Sequence, residues 1–317
     1  LLKSSQRIAE PIYRALDVHC GESQLMGVAR SALAMGQMSV LAFTPAAQLF
    51  VPVGKPETIL TCQDFLQALS AFCMFPSASR QVVAWGLMAI LAIVVSGLYP
   101  RFTALLHVWV ALSIHTSFSL PDGGETVLQV CTPLIAIAVA NDRRRWHWSR
   151  QSCHVDVAKS SVFHGISWAG QVALRLQVAY VYLNSAGSKL KVPQWQDGTA
   201  IYYVARMESF GVSGPTGEIF LWLTKQPTVS LALTWGVIAA ETAIAVLLVC
   251  HRNQPMAAFV MSCMLHIGII FLLGLVSFGI IMVGVVGCAS SPAVERFLGR
   301  SRQAVLPETA LPLERTR

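Results

Sequence analysis

Charge is what this chain has least of. Only 12% of its 317 residues are Asp, Glu, Lys or Arg, against the ~25% typical of soluble domains. That deficit excludes an ordinary soluble globular domain. Metal-binding spacings are missing too. No CxxC, HxxxH or HExxH occurs, so a metal site has no local support. No arginine-rich arm with interleaved aromatics is present, which argues against RNA or DNA as a partner. The first residues, LLKSSQRIAE, lack the basic–apolar–AxA order of a secretory signal. Neither an internal repeat nor a low-complexity segment stands out.

Apolar residues take up the space. They make up 54% of the chain, and mean hydropathy is +0.57. About 20 helical residues cross ~30 Å of hydrocarbon. Runs of that order occupy 24–45, 81–99, 102–119, 125–140, 162–185, 229–250 and 256–289. The pattern predicts an all-α, polytopic membrane helical bundle. The last run is too long for one untilted helix, and GLVSFG at 274–279 is where it can break. The expected number of transmembrane passes is therefore seven to eight.

Charge asymmetry orients the bundle. The loop 141–161 has four arginines and a lysine and marks the cytoplasmic side, whereas LPDGGE at 120–125 is acidic and belongs outside. Counting back puts the N-terminus in the cytoplasm, in keeping with Lys3, Arg7 and Arg14. Counting forward puts the loop 186–228 outside and His251-Arg252 inside. Arg296, Arg300, Arg302, Arg315 and Arg317 also belong inside, which requires the last run to be a hairpin and favours eight passes. The expected domains are an N-terminal segment at 1–23, a transmembrane domain at 24–290 and a disordered cytoplasmic tail at 291–317. Within the first, residues 3–18 read either as an interfacial helix with Ile8, Ile12 and Leu16 on one side, or as a polar lead-in.

Most of the eight cysteines sit in or near apolar spans as small hydrophobes. Cys62 and Cys73 differ, because they lie in the loop TCQDFLQALSAFC on the expected outer side. There they can form a disulfide or remain two buried thiols.

Ionisable groups inside a membrane each cost at least ~2.5–3.5 kcal/mol on insertion scales and are functional candidates by default. Here they are Arg30, His107, His115, Arg175, Glu241 and His266. Arg30 lies two turns into its span, within snorkelling reach of the interface. Arg175 and Glu241 are both near mid-span and can satisfy each other. His107 and His115 share one span, and either reads equally as a hydrogen-bonded core histidine. His266, in MLHIGIIF, has the least obvious local explanation.

Lys189 is not isolated. Tyr180, Tyr182, Asn184 and Ser185 precede it, and Trp195 and Asp197 follow. Lys and Trp at a helix end can be an interfacial belt. Alternatively, a lysine tucked under an aromatic-lined re-entrant loop can act as base or nucleophile near neutral pH.

The pattern Tyr182, Lys189-Leu190, Trp195, Gly198-Thr199-Ala200 resembles the signature of the vitamin K-dependent γ-carboxylase-like membrane family, also called HTTM. LHVWVALSIHTS (106–117), LPDGGETV (120–127), WGVIAAETAIA (235–245) and LHIGIIFLLGLVSFGIIMV (265–283) resemble, in order, blocks of its bacterial SdpB branch. The resemblance covers roughly residues 24–290. It implies that Lys189 matches the lysine that acts as base on a reduced quinone, when aligned from Tyr182 with one residue inserted before Trp195. Aligned on Ala186-Gly187, Lys189 falls on a neighbouring lysine instead. The resemblance also implies a bacterial cytoplasmic-membrane location, an SdpA-like partner and a shared role in maturing an exported antimicrobial peptide from its precursor. His266 and Glu241 join Lys189 as catalytic candidates. Tyr182, Trp195, Asp197, Arg175, His107 and His115 are the candidates for substrate binding. No motif requires a cofactor, and a quinone is possible by resemblance only.

Three other readings compete with maturation. GVSG at 211–214 matches the GxSG of rhomboid-type serine proteases, with His266 as base, although a turn explains it as well. A quinone-linked carboxylase-like enzyme would use Lys189 and the aromatic loop. A non-enzymatic scaffold, immunity or transport protein would use the mid-membrane polar groups for other purposes.

Overall fold

The computed structural model describes residues 23–51, 62–119, 121–149, 162–208, 211–212, 214–250 and 254–305. Among them the chain is helical, with no strand and a single isolated bridge between Leu98 and Trp146. In chain order the helices are α1 (Gln24–Phe43), α2 (Ala46–Leu49), α3 (Phe65–Ala68), α4 (Ala71–Met74), α5 (Arg80–Ser96), α6 (Pro100–Ser117) and α7 (Gly123–Ala138). They continue with α8 (Val162–Lys189), α9 (Pro193–Gln196), α10 (Ala200–Val204), α11 (Gly214–Thr224), α12 (Pro227–Val249), α13 (Gln254–Leu273) and α14 (Val276–Val305). Four are long and apolar enough to cross a bilayer: α1, α12, α13 and the 276–298 part of α14. α5 and α7 are shorter apolar helices.

Local signals explain the helix ends. Ser23, Ser70, Ser79 and Asp122 each accept a hydrogen bond from a first-turn amide of α1, α4, α5 and α7. The last apolar run is divided where Gly274 adopts φ +69°, a conformation that favours glycine, so α13 stops and α14 starts. α14 then continues to Val305, so the boundary expected at 290 falls inside a helix. The segments 1–22 and 306–317, which include the expected interfacial helix, lie outside the described residues.

α14 packs closely on α1, because small residues let the backbones approach. A Cβ on Gly284 would come within 2.7 Å of Leu33. Pro292 lies inside α14 and offers no N–H to the carbonyl of Cys288, four residues earlier. Gln171 of α8 supplies the missing donor, its Nε2 bonding the carbonyls of Cys288 and Ala289 at 2.9 and 3.0 Å. Gln171→Leu removes both bonds and leaves the Cys288 carbonyl with the Ser291 hydroxyl, 3.0 Å away, as its side-chain donor. A loss of ~1–3 kcal/mol is expected, read as a lower thermal midpoint of the purified protein.

One end of the bundle is capped by the first long loop. Phe50, Phe72 and Phe118 cluster edge to face there, and Trp109 Nε1 donates to the Leu69 carbonyl at 2.9 Å. Cys62 and Cys73 are joined by a disulfide with Cα atoms 5.8 Å apart. The opposite end is closed by residues 140–149, where Arg144 is buried and clamps Asp142.

Candidate functional site

The α8 helix places three polar side chains on one face, because residues three, four and seven apart stack on adjacent turns. Tyr182, Ser185 and Lys189 have that spacing. The Lys189 ammonium donates to both carboxylate oxygens of Glu241, at 2.7 and 2.9 Å, and to Ser185 Oγ at 2.7 Å. Ser185 in turn donates to Glu241 Oε1 at 3.2 Å. The ion pair is largely shielded, its side chains 20% and 11% exposed. Trp195 lies across the ammonium, with Nζ 5.3 Å from the ring centroid, within the range of a cation–π contact.

One turn further into the bundle, the Tyr182 hydroxyl meets His266 Nε2 at 2.7 Å and Ser262 Oγ at 3.0 Å. Both Tyr182 and His266 are buried. No described residue bonds His266 Nδ1. Lys189, Glu241, His266, Tyr182 and Trp195 are thus gathered from α8, the short helix α9 just after it, and the distant α12 and α13.

The cluster is not at an end of α12. Glu241 lies 14 residues into α12, or ~21 Å from its start at 1.5 Å per residue. Lys189 ends α8 beside the second half of α12. Past it, α10 and α11 cover the first half of α12. The Gly198 carbonyl accepts from Ser230 and Thr234, each at 3.0 Å. Gly198 itself has φ +80°, and a Cβ there would come 2.3 Å from Leu231. The Gly-Thr-Ala stretch is therefore the hinge that folds the chain back onto α12.

Other candidates lie elsewhere. Arg175 does not meet Glu241; its guanidinium donates to the Leu248 carbonyl at 2.6 Å, where it satisfies a terminal carbonyl of α12 and complements the helix dipole. Asp197 accepts from the amide and hydroxyl of Thr199 at 3.0 and 2.6 Å and holds the turn. His107 is buried with Nε2 unbonded by any described residue. It lies one turn from Thr103, to which Arg30 donates at 3.2 Å. Arg30 does not snorkel: it is 1% exposed. His115 opens instead on a groove with Asp64 and Gln67. Ser213 of GVSG lies outside the described residues.

A further polar pair was not apparent in the sequence. Glu125, expected in an outer loop, is buried in the first turn of α7 and accepts from Gln37 Nε2 at 2.7 Å. The Asp122-x-x-Glu125 spacing is a helix-start signal, and read that way it moves Glu125 from the loop into the helix. Among the described residues, no group of three or more His, Cys, Asp or Glu is arranged to hold a metal.

No family model matches the chain, and no solved structure matches it significantly. Two curated proteins of Bacillus subtilis (strain 168) do. The uncharacterized protein YitO is 30% identical over 265 residues, covering 83% of this chain and 84% of its own length. The sporulation-delaying protein SdpB is 32% identical over 257 residues, covering 80% of this chain and 77% of its own.

Proposed function

The chain belongs to the SdpB-like family of membrane helical proteins, and from that premise we propose that it matures an exported antimicrobial peptide from its precursor, at the Lys189–Ser185–Glu241 cluster. The observation that carries the reading is that cluster: a charged, hydrogen-bonded triad held well along α12 and adjoining Tyr182 and His266. Burying such charges is expensive even when they are paired, which makes the cluster a functional candidate. In this proposal the long helices make eight passes with the N-terminus cytoplasmic. The cluster then opens toward the outer side, where an exported precursor arrives, and an SdpA-like protein acts with it.

The chemistry follows from the partners. Glu241 accepts from both Lys189 and Ser185, so its carboxylate holds the two groups in one place. Lys189 carries the positive charge placed to stabilise negative charge developing on a peptide carbonyl oxygen. Whether the outcome is cleavage or another modification follows from the mass of the product. No step is assigned to a quinone.

Mass spectrometry of secreted peptide, from cells carrying the gene with the precursor and partner genes, tests the reading. Lys189→Ala is expected to abolish the mature peptide and accumulate precursor, with the membrane level of the variant measured alongside so that lost protein is separated from lost activity. Identical products from wild type and variant would reduce Lys189 to a structural cation.

A further inference from the structure

Helix α8 ends at Lys189, but the groove it follows does not. α12 continues toward its N-terminus and α13 toward its C-terminus. In place of α8 they are covered by the short helices α10 and α11. Between these four helices lies a cavity of about 230 Å³. Ile201 and Val204 come from α10, Phe220 from α11, Val237 from α12, and Leu265 and Gly268 from α13. The lining is almost wholly apolar. It neighbours the charged cluster along both long helices, Val237 being one turn before Glu241 and Leu265 preceding His266.

Size narrows the occupant. A cavity of ~150 Å³ lined by aliphatic and aromatic side chains holds benzene, whereas pockets for larger organic ligands span ~300–1,000 Å³. The volume here suits one large apolar side chain. Gly268 adds a second observation: a Cβ built on it meets nothing within 4 Å. Glycine is unfavourable inside a helix by ~0.5–1 kcal/mol relative to alanine. Its absent side chain leaves the space open.

We propose that this cavity is the specificity pocket of the site, seating a large aliphatic or aromatic side chain of the precursor beside the bond processed at Lys189 and Glu241. The inference rests on the peptide-maturation reading above and adds the substrate feature that is recognised. A chain presented this way has one side chain among apolar walls and the adjoining peptide group near the ammonium and carboxylate. That arrangement of apolar walls and a few convergent polar groups is common in binding sites.

Gly268→Phe fills the cavity from a position with room for it. Gly86→Phe, on α5 at another glycine with nothing within 4 Å, controls for a bulky aromatic elsewhere in the bundle. Precursor and mature peptide are quantified by mass spectrometry, and the purified proteins are compared by thermal unfolding. The expected result is a fall in mature peptide of at least ~10-fold for Gly268→Phe, the scale on which hydrophobic pockets discriminate, with unfolding midpoint and membrane level unchanged. Gly86→Phe should process normally. In an alanine scan of the precursor, one large apolar residue near the processed bond should be needed by wild type, and its truncation should restore processing by Gly268→Phe. Normal processing by Gly268→Phe, with Lys189→Ala inactive, would overturn the pocket and leave the site reading standing. Normal processing by both variants would overturn the maturation reading itself. A phospholipid that co-purifies with wild type and is lost from Gly268→Phe, with processing intact, would assign the cavity to lipid and overturn the proposal.

Discussion

Lys189→Met should stop maturation and destabilise the protein, whereas Lys189→Met combined with Glu241→Met should recover the stability and not the activity. The single substitution leaves a carboxylate in a largely shielded position with only Ser185 as donor. Breaking a buried ion pair from one side costs ~3–5 kcal/mol, while replacing both charges with apolar groups of similar size is often neutral or stabilising. Because the two side chains keep 20% and 11% exposure, solvent screening moves the expected loss to ~3 kcal/mol or below. The measurements are thermal unfolding in detergent and the ratio of mature to precursor peptide. A double variant that is stable and inactive separates chemistry from architecture. If it is stable and fully active, the pair is a structural staple, and the maturation reading loses its main support.

The pair also shows where sequence reasoning stops. Hydropathy locates the long helices, because each apolar run must be buried or lipid-facing, and the helix ends carry Ser, Asp and Gly signals. Tyr182, Lys189, Glu241, Trp195 and His266 all stand out from the sequence, as polar or aromatic side chains at costly positions. Which cation meets Glu241 is another matter. Arg175 and Lys189 lie on the same helix, 14 residues apart, and the choice depends on how far α8 slides along α12. Axial offset leaves no periodic trace in a sequence. The structure matches Lys189 with Glu241 and leaves Arg175 to the Leu248 carbonyl.

The same limit hid the burial of Arg30 and Glu125. Each is near a helix end, where composition permits either exposure or burial, and only neighbouring helices decide. Gln37 meets Glu125 from α1, and Thr103 meets Arg30 from α6. Conversely, the Gly-Thr-Ala stretch was read through its resemblance to a family signature. Its physical role is backbone geometry, with Gly198 at a positive φ and its carbonyl tied to α12.

Arg144→Lys is expected to unfold the opposite end of the molecule even though it preserves charge. The basic loop at 141–161 reads as a topology signal, which depends on the number of Lys and Arg side chains and not on their geometry. Arg144 does more than that. Its guanidinium forks onto Asp142, with Nε and Nη2 contacts of 3.0 and 2.7 Å. It also donates to the carbonyls of His147, Ser149 and Ser23, at 3.0, 3.1 and 3.2 Å. The residue is 4% exposed and Asp142 only 1%. A lysine presents three donors from a single point and cannot reproduce a planar fork. Several buried carbonyls and part of the Asp142 carboxylate would lose partners, at ~1–3 kcal/mol for each orphaned group. Neighbouring His147 ties the same plug to α1. Ser31 donates to the Val95 carbonyl, so its oxygen accepts from His147 Nε2 at 3.2 Å. Burial, with Arg30 and Arg144 nearby, pushes His147 down to about 4. The folded protein therefore keeps this ring neutral while an unfolded chain protonates it near ~6.5. Stability from His147 is present above that value and declines as pH falls toward 4. Arg143→Lys and Arg145→Lys, at exposed positions of the same loop, should leave the unfolding midpoint unchanged. An Arg144→Lys protein as stable as those two would show that charge alone is what the loop requires.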